Sequence, residues 1–221
     1  MWEFLGVVFG AFVSIVASFG TVVWVEFLRR PRLYLEHAQP TEVDYSPDFP
    51  ATRVRSLRVR LHNRRLQRWA DSWMVRDPAL QCRARITFHF LEDENVQFDR
   101  TMAGRWTNTP EPTPLFINNP RDGREFAIMP QLVEAVTVYP GENELLDIAV
   151  RLNDEVDCYG WDNESYLTGW RNRNWRLGAG RHLVKVEITS SGPRCTGWFR
   201  LENAGGRGDF RLEPYLPKTG R

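Results

Sequence analysis

With 221 residues, 29 Lys+Arg against 28 Asp+Glu and a formal net charge of +1, the chain has neither the surplus of a globally basic nucleic-acid binder nor the composition of an acidic disordered tail. Its three cysteines (Cys82, Cys158, Cys195) show no CxxC or Cys/His spacing, which suggests neither a zinc site nor a full disulfide framework and leaves reduced, partly buried thiols as the expectation. No metal and no cofactor is expected, and no nucleic-acid partner.

From Phe4 to Val25 no side chain is charged, and a helix over this stretch, at about 1.5 Å per residue, would be roughly 33 Å long, one bilayer crossing. Residues 1–30 are therefore expected to form a transmembrane anchor, with membrane lipid as the partner of residues 4–25. Met1-Trp2-Glu3 lacks the basic start of a signal peptide and no A-x-A pattern closes the apolar run, so the expectation is an uncleaved signal anchor. Arg29, Arg30 and Arg32 against the single Glu26 place the following domain on the cytoplasmic side of the cell membrane. Trp2 and Trp24 stand where interfacial aromatics belong. Gly6, Gly10, Ser14 and Ser18 recur every four residues, a strip of small side chains that suits a helix homodimer or docking against a larger membrane complex; the plain alternative is that small residues, common in spans, fall into register by chance.

Residues 31–213 read as one β domain, and 214–221 as a flexible tail. Pro31 ends the helix and a short strand follows at Arg32–Glu36, then a Pro- and Asp-bearing loop from Gln39 to Pro50. Val54 to Asn63 alternates, with Leu57, Val59 and Leu61 inward and Arg58 and Arg60 outward. The clearest alternation is Ala79 to Phe90, with Leu80, Cys82, Ala84, Ile86, Phe88 and Phe90 sharing the inner face. An edge strand at Met102–Trp106 leads to a long loop, Thr107 to Arg124. Further strands are predicted at Val133–Tyr139, at Glu144–Leu152 (Leu146, Ile148, Val150 and Leu152 inward), at His182–Thr189 (Val184, Val186 and Ile188 inward), at Cys195–Asn203 (Gly197, Phe199 and Leu201 on one face) and at Asp209–Leu212. A polar and aromatic excursion, Asn153 to Leu177, interrupts them.

Seven or eight alternating strands without a convincing soluble helix predict an all-β antiparallel β-sandwich. The segments Tyr139-Pro140-Gly141 with Leu145-Leu146-Asp147-Ile148-Ala149-Val150, and 177–188, resemble the late strands of immunoglobulin-like domains of prokaryotic adhesion and membrane proteins, over roughly a third of the chain. The resemblance implies an immunoglobulin-like fold and a binding or spacing role, and carries over no catalytic residue.

Catalytic signatures are missing: no G-x-S-x-G elbow, no H-E-x-x-H, no Walker-type loop, no dinucleotide fingerprint. Charge is uneven along the chain. Ten arginines between Arg53 and Arg85 face Asp71 and Asp77, while nine carboxylates between Glu134 and Glu164 face Arg151 alone. One account is internal pairing, with Arg58 and Arg60 meeting Asp147 across neighbouring strands. The other gives the domain a basic face on which Arg64, Arg65 and Arg68, with Arg29, Arg30 and Arg32, touch anionic headgroups. Candidate partner-binding residues are the loop aromatics and arginines, Trp69, Trp73, Trp161, Tyr166, Trp170, Arg171, Arg173 and Trp175, since tryptophan and arginine dominate binding hot spots; the alternative is that these rings bury themselves as a second small core. A calcium cluster from Asp154, Glu155, Asp157, Asp162 and Glu164 lacks EF-hand spacing. The expected function is a non-catalytic protein-interaction or scaffold module at the cytoplasmic membrane face. An outward-facing glycan or cell-wall binder comes second, and an enzymatic, nucleotide-sensing or RNA-sensing domain third.

Overall fold

The computed structural model of the chain describes residues 2–44, 53–92, 95–112, 115–118, 125–128, 132–152, 155–205 and 209–217, with backbone only at 2–12, 43–44, 115–118 and 125–128. A 28-residue helix, α1 (Trp2–Arg29), is followed by β1 (Leu33–His37), β2 (Thr41–Asp44), β3 (Arg53–Asn63), a single turn α2 (Arg68–Asp71), β4 (Ala79–Phe90), β5 (Met102–Ala103), β6 (Arg105–Trp106), β7 (Leu115–Asn118), β8 (Glu125–Ile128), β9 (Ala135–Val138), β10 (Asn143–Leu152) and β11 (Cys158–Gly160). Two short 3-10 helices (Asn163–Thr168 and Arg173–Trp175) precede β12 (Arg176–Leu177), β13 (Gly180–Thr189), β14 (Arg194–Asn203) and β15 (Phe210–Pro214).

Apart from β7 and β8, which pair only with each other, the strands form two antiparallel sheets packed as a β-sandwich. One runs β1-β3-β10-β11-β12, with β2 also beside β3 and β6 beside β10; the other runs β15-β14-β13-β4-β5, with β9 also beside β4. Their facing sides bury Leu57, Val59, Leu61, Ile86, Phe88, Leu146, Val184, Val186, Phe199 and Leu201 in a common core. All ten belong to the inward sets that alternation assigns, those of β4 and β10 included. The chain changes sheet at Gly104: β5 pairs with β4 and β6 with β10. A Cβ at Gly104 would lie 2.8 Å from Leu146 Cδ1, so a residue without a side chain lets the strand cross between layers.

Two bulges correct the expected strand phases. In β4 the register shifts between Ala79 and Cys82, and Gln81 takes a positive φ of 56°. The extra residue turns Leu80 outward (46 % exposed) and puts Ala79 into the core in its place. Phe90, expected inward, is exposed where β4 ends. In β10 the shift between Asp147 and Ala149 sends Val150 and Leu152 to the outer face, where Val54, Tyr159 and Trp161 cover them. Arg151 then points into the sandwich, donates to Asn203 Oδ1 at 2.9 Å and lies over the Phe210 ring.

Loops expected as irregular also carry structure. Part of the Gln39–Pro50 loop is β2, and β7 and β8 pair as a hairpin inside and beyond the Thr107–Arg124 segment. The predicted tail begins inside β15, and Tyr215 N–H still donates to the Trp198 carbonyl. Residues 45–50, 119–124 and 218–221 lie outside the described residues.

His182 in β13 is a buried titratable group of the core rim. Its Nε2 is 3.1 Å from the Gly178 carbonyl and its Nδ1 is 3.0 Å from Gln97 Oε1. In the neutral ring Nε2–H donates to Gly178, and the Gln97 amide, turned end for end, donates to Nδ1. Burial pushes its pKa below the ordinary 6.5, opposed in part by the Gly178 carbonyl. The unfolded chain then takes up a proton that the folded chain refuses, so this site's stability is present above 6.5 and is lost as the pH falls toward the lower folded value. The replacement His182→Gln should flatten the fall in urea midpoint between about pH 7 and pH 5; an unchanged slope would assign that fall to other groups.

Candidate functional site

The last turn of α1 is bonded into the domain rather than left as a free tether. Asp77 N–H donates to the Arg29 carbonyl at 2.7 Å, the Arg76 guanidinium donates to the Arg30 carbonyl, and Arg29 Nη2 meets Asp77 Oδ1 at 3.0 Å. These contacts satisfy helix-end carbonyls that have no partner within the helix and place cations at its negative pole. The chain leaving the helix is fixed by Asn63, which is buried at the end of β3. Its Oδ1 accepts from Arg32 N–H (3.2 Å), and its Nδ2 donates to the carbonyls of Asp77 and Val138 (3.1 Å each).

The segment from Arg64 to Asp77 therefore lies against the helix end. On its surface Trp69 stacks beside Trp24 of α1, with centroids 6.3 Å apart and planes at 21°, and Trp73 lies 6.2 Å from Trp69. All three rings are about half exposed, as is Phe27, and Val75 is more so. Beside them a cavity of about 200 Å³ is walled by Leu28, Trp69 and the guanidinium-bearing side chains of Arg32, Arg64, Arg65 and Arg76. Arg76 is 5 % exposed and its Nε has no hydrogen-bond partner. Burial, and then the charges of Arg32 and Arg64, lower its pKa from the ordinary arginine value. Arg65 is laid over the backbone of Gly141, whose φ of +82° makes the β9–β10 turn; any Cβ there would fall within Arg65 Nε.

The candidate residues thus separate into two places. Trp69, Trp73, Arg29, Arg30, Arg32, Arg64 and Arg65 gather at the helix end, and Arg68 is exposed on α2 nearby. Those of the 153–177 excursion do not form an open surface. Trp161 and Trp175 are 3 % and 4 % exposed. Trp161 packs with Tyr166 and Trp170 over Val150 and Leu152 on the outer face of the sheet, and Trp175 enters the main core with its indole N–H donating to Asp162 Oδ2 at 2.7 Å. Trp161, Tyr166 and Trp170 thus form the second small core, the alternative to a contact surface, because the β10 bulge leaves apolar side chains outside that need a cover, while Trp175 joins the main core. Arg171 and Arg173 remain exposed, Arg171 paired with Glu155 at 2.6 Å. On α1, Ser14 and Ser18 are exposed; Gly6 and Gly10 precede the described side chains.

Between the second core and β6 sits a buried ion cluster. Asp147, fully buried, accepts from Arg58 Nε (2.8 Å), Arg105 Nη1 (2.7 Å) and Thr107 Oγ1 (2.9 Å). The expected pairing of Arg58 with Asp147 across adjacent strands is present; Arg60 lies opposite Leu145 and does not join it. The acidic excursion is likewise occupied internally: Glu155 meets Arg171, Asp157 meets Arg176, and Asp162 caps the first 3-10 helix by accepting from Ser165 N–H. Asp154 lies outside the described residues. Among the described residues no cluster of three or more His, Cys, Asp or Glu is placed to hold a metal.

The three cysteines are free. Burial pushes the Cys82 thiol up to about 11 and raises those of Cys158 and Cys195, so all three stay protonated and poorly nucleophilic near neutral pH. The residues that sequence alone does not single out are Asn63 and Arg76. Arg76 is one of ten arginines in a row of similar neighbours, and nothing local marks it as the one buried against the helix end. Comparison with known proteins gives no match to any family model, curated protein or solved structure.

Proposed function

We propose that the chain is a single-pass membrane protein whose sandwich, of immunoglobulin-like kind, acts as a non-catalytic protein-interaction or scaffold module seated on the cytoplasmic membrane face. The observation that carries this is the junction: Trp24, Trp69 and Trp73 form one aromatic patch shared by helix and domain, beside arginines. Tryptophan and arginine at one level are the composition of a membrane–water interface. Among the described residues no helix is long and apolar enough to cross a membrane; the described side chains of α1 begin at Val13. From there to Phe27, Val13, Ile15, Val16, Phe19, Val22, Val23, Trp24 and Phe27 stay largely exposed, and an apolar surface of this extent requires lipid or a partner to cover it. The uncharged run in the sequence, Phe4 to Val25, supplies the remaining length.

The arginines after the helix support a cytoplasmic domain. An outward-facing glycan binder has less in its favour, since Trp161 and Trp175, two of the rings it would use, are buried. The test is extraction and protease protection. The full chain should stay with membranes in alkaline carbonate, and its domain should resist protease added to intact cells and be cut once the membrane is opened. A chain recovered monomeric in the soluble fraction without detergent would overturn the anchor, and digestion in intact cells would overturn the orientation.

A further inference from the structure

We infer that the cavity between the end of α1 and the Arg64–Asp77 segment binds the phosphate group of an anionic lipid headgroup. This rests on the membrane-seated reading for the source of the phosphate, while the chemistry of the cavity stands without it. Four guanidinium side chains, Arg32, Arg64, Arg65 and Arg76, converge on about 200 Å³ and no carboxylate lines the space among the described residues. Asp77, next in the chain to Arg76, is engaged by Arg29. Like charges gathered in this way repel one another unless an anion sits among them. A phosphate accepts several charge-assisted hydrogen bonds, and arginine is the side chain whose fork matches its oxygens.

The site is built rather than a chance of exposed side chains. Arg76 is held by the Arg30 carbonyl with its Nε left without a partner, and Arg65 is laid in place by the Gly141 turn. Burial and the neighbouring Arg32 and Arg64 lower the pKa of Arg76, and the negative charge of a bound oxyanion would offset both. Leu28 and Trp69 are among its apolar walls, so the cavity reaches the last turn of the helix, at headgroup depth if α1 spans the bilayer.

The full chain, purified in nonionic detergent without phosphate, is tested in two arms. Native mass spectrometry counts phosphatidic acid retained per chain, and isothermal titration calorimetry follows inorganic phosphate. The expected result is one saturable phosphatidic acid, displaced by inorganic phosphate, with affinity reduced roughly tenfold by Arg64→Gln or Arg65→Gln and unchanged by Arg83→Gln, an exposed arginine of β4. Arg76→Gln should abolish binding. Because Arg76 also bonds the helix end, the decision rests on the two exposed-side variants. Equal loss in Arg83→Gln, or no loss in any variant, would overturn the cavity. Inorganic phosphate binding that depends on Arg64, without phosphatidic acid binding, would overturn the lipid source. Should the chain prove soluble, so that the anchor fails, Arg64-dependent binding of inorganic phosphate still supports the cavity, and its absence overturns it.

Discussion

Replacing Asp147 by asparagine in the full chain should lower its stability by about 3–5 kcal/mol, a fall of roughly 10 °C in thermal midpoint for a chain of this size. Asp147 is fully buried between Arg58 and Arg105, and Arg105 is itself 2 % exposed. The amide keeps the shape and removes the charge, so two guanidinium groups remain facing a neutral side chain whose N–H₂ cannot accept. Arg105 cannot escape to water, since its Nη2 donates to the Thr109 carbonyl at 3.0 Å and its Cζ lies over the Tyr166 ring. The loss therefore measures a stranded cation more than a missing hydrogen bond.

Two controls separate that account from a general packing defect. The pair Asp147→Leu with Arg105→Met should recover much of the stability that either loses alone, because a buried ion pair exchanged for apolar side chains is often near neutral. The destabilisation should also persist in high salt, since the cluster is closed to solvent ions. A loss below about 1 kcal/mol for Asp147→Asn, or a double variant worse than the sum of the singles, would set the cluster aside as a source of stability.

The same residue shows what alternation in the sequence can convey. Arg58 sits on a strand whose period is clean on either side of it, and Asp147 closes the in-phase stretch of β10, so placing β3 beside β10 brings the two together. The strands β3, β4, β13 and β14 are legible for this reason: each has enough inward apolar side chains in one phase to be read from composition. What alternation does not convey is a change of phase. Gln81 takes a left-handed conformation without being glycine, and the β10 bulge falls in Asp147-Ile148-Ala149, where apolar residues continue on both sides and no breaker marks the extra residue.

The aromatic excursion was ambiguous for a consequence of that second bulge. Once Val150 and Leu152 face outward, Trp161, Tyr166 and Trp170 have an apolar floor to cover, and rings that suit a contact surface become a lid. Trp69 and Trp73 carry the same composition with no such floor, and they remain exposed beside Trp24. Residue type alone cannot distinguish the two sets. The difference lies in which strand face each loop lands on, a property of long-range register that a single sequence encodes only through the whole fold.

Asn63→Ala should lower stability by about 3 kcal/mol, taking about 1 kcal/mol for each of three hydrogen bonds, and should loosen one region more than the rest. The side chain ties the Arg32 N–H to the Asp77 and Val138 carbonyls, and the Asn63 carbonyl accepts from Gly141 N–H at 2.7 Å. It is the point where the chain leaving α1, the Arg64–Asp77 segment and the β9–β10 turn meet. Alanine leaves two buried carbonyls and one N–H without that partner, and the segment they hold carries Arg64, Arg65, Arg68 and Arg76 as tryptic sites. Limited trypsin digestion should accordingly cut within 64–76 well before the strands of the second sheet, whose β13–β14 ladder Asn63 does not touch. Faster cleavage confined to that segment is the signature of a local hinge. Cleavage spread evenly along the chain, or a pattern unchanged from the parent, would mean that Asn63 does not position the helix end, and the alignment of the arginine cavity would need another cause.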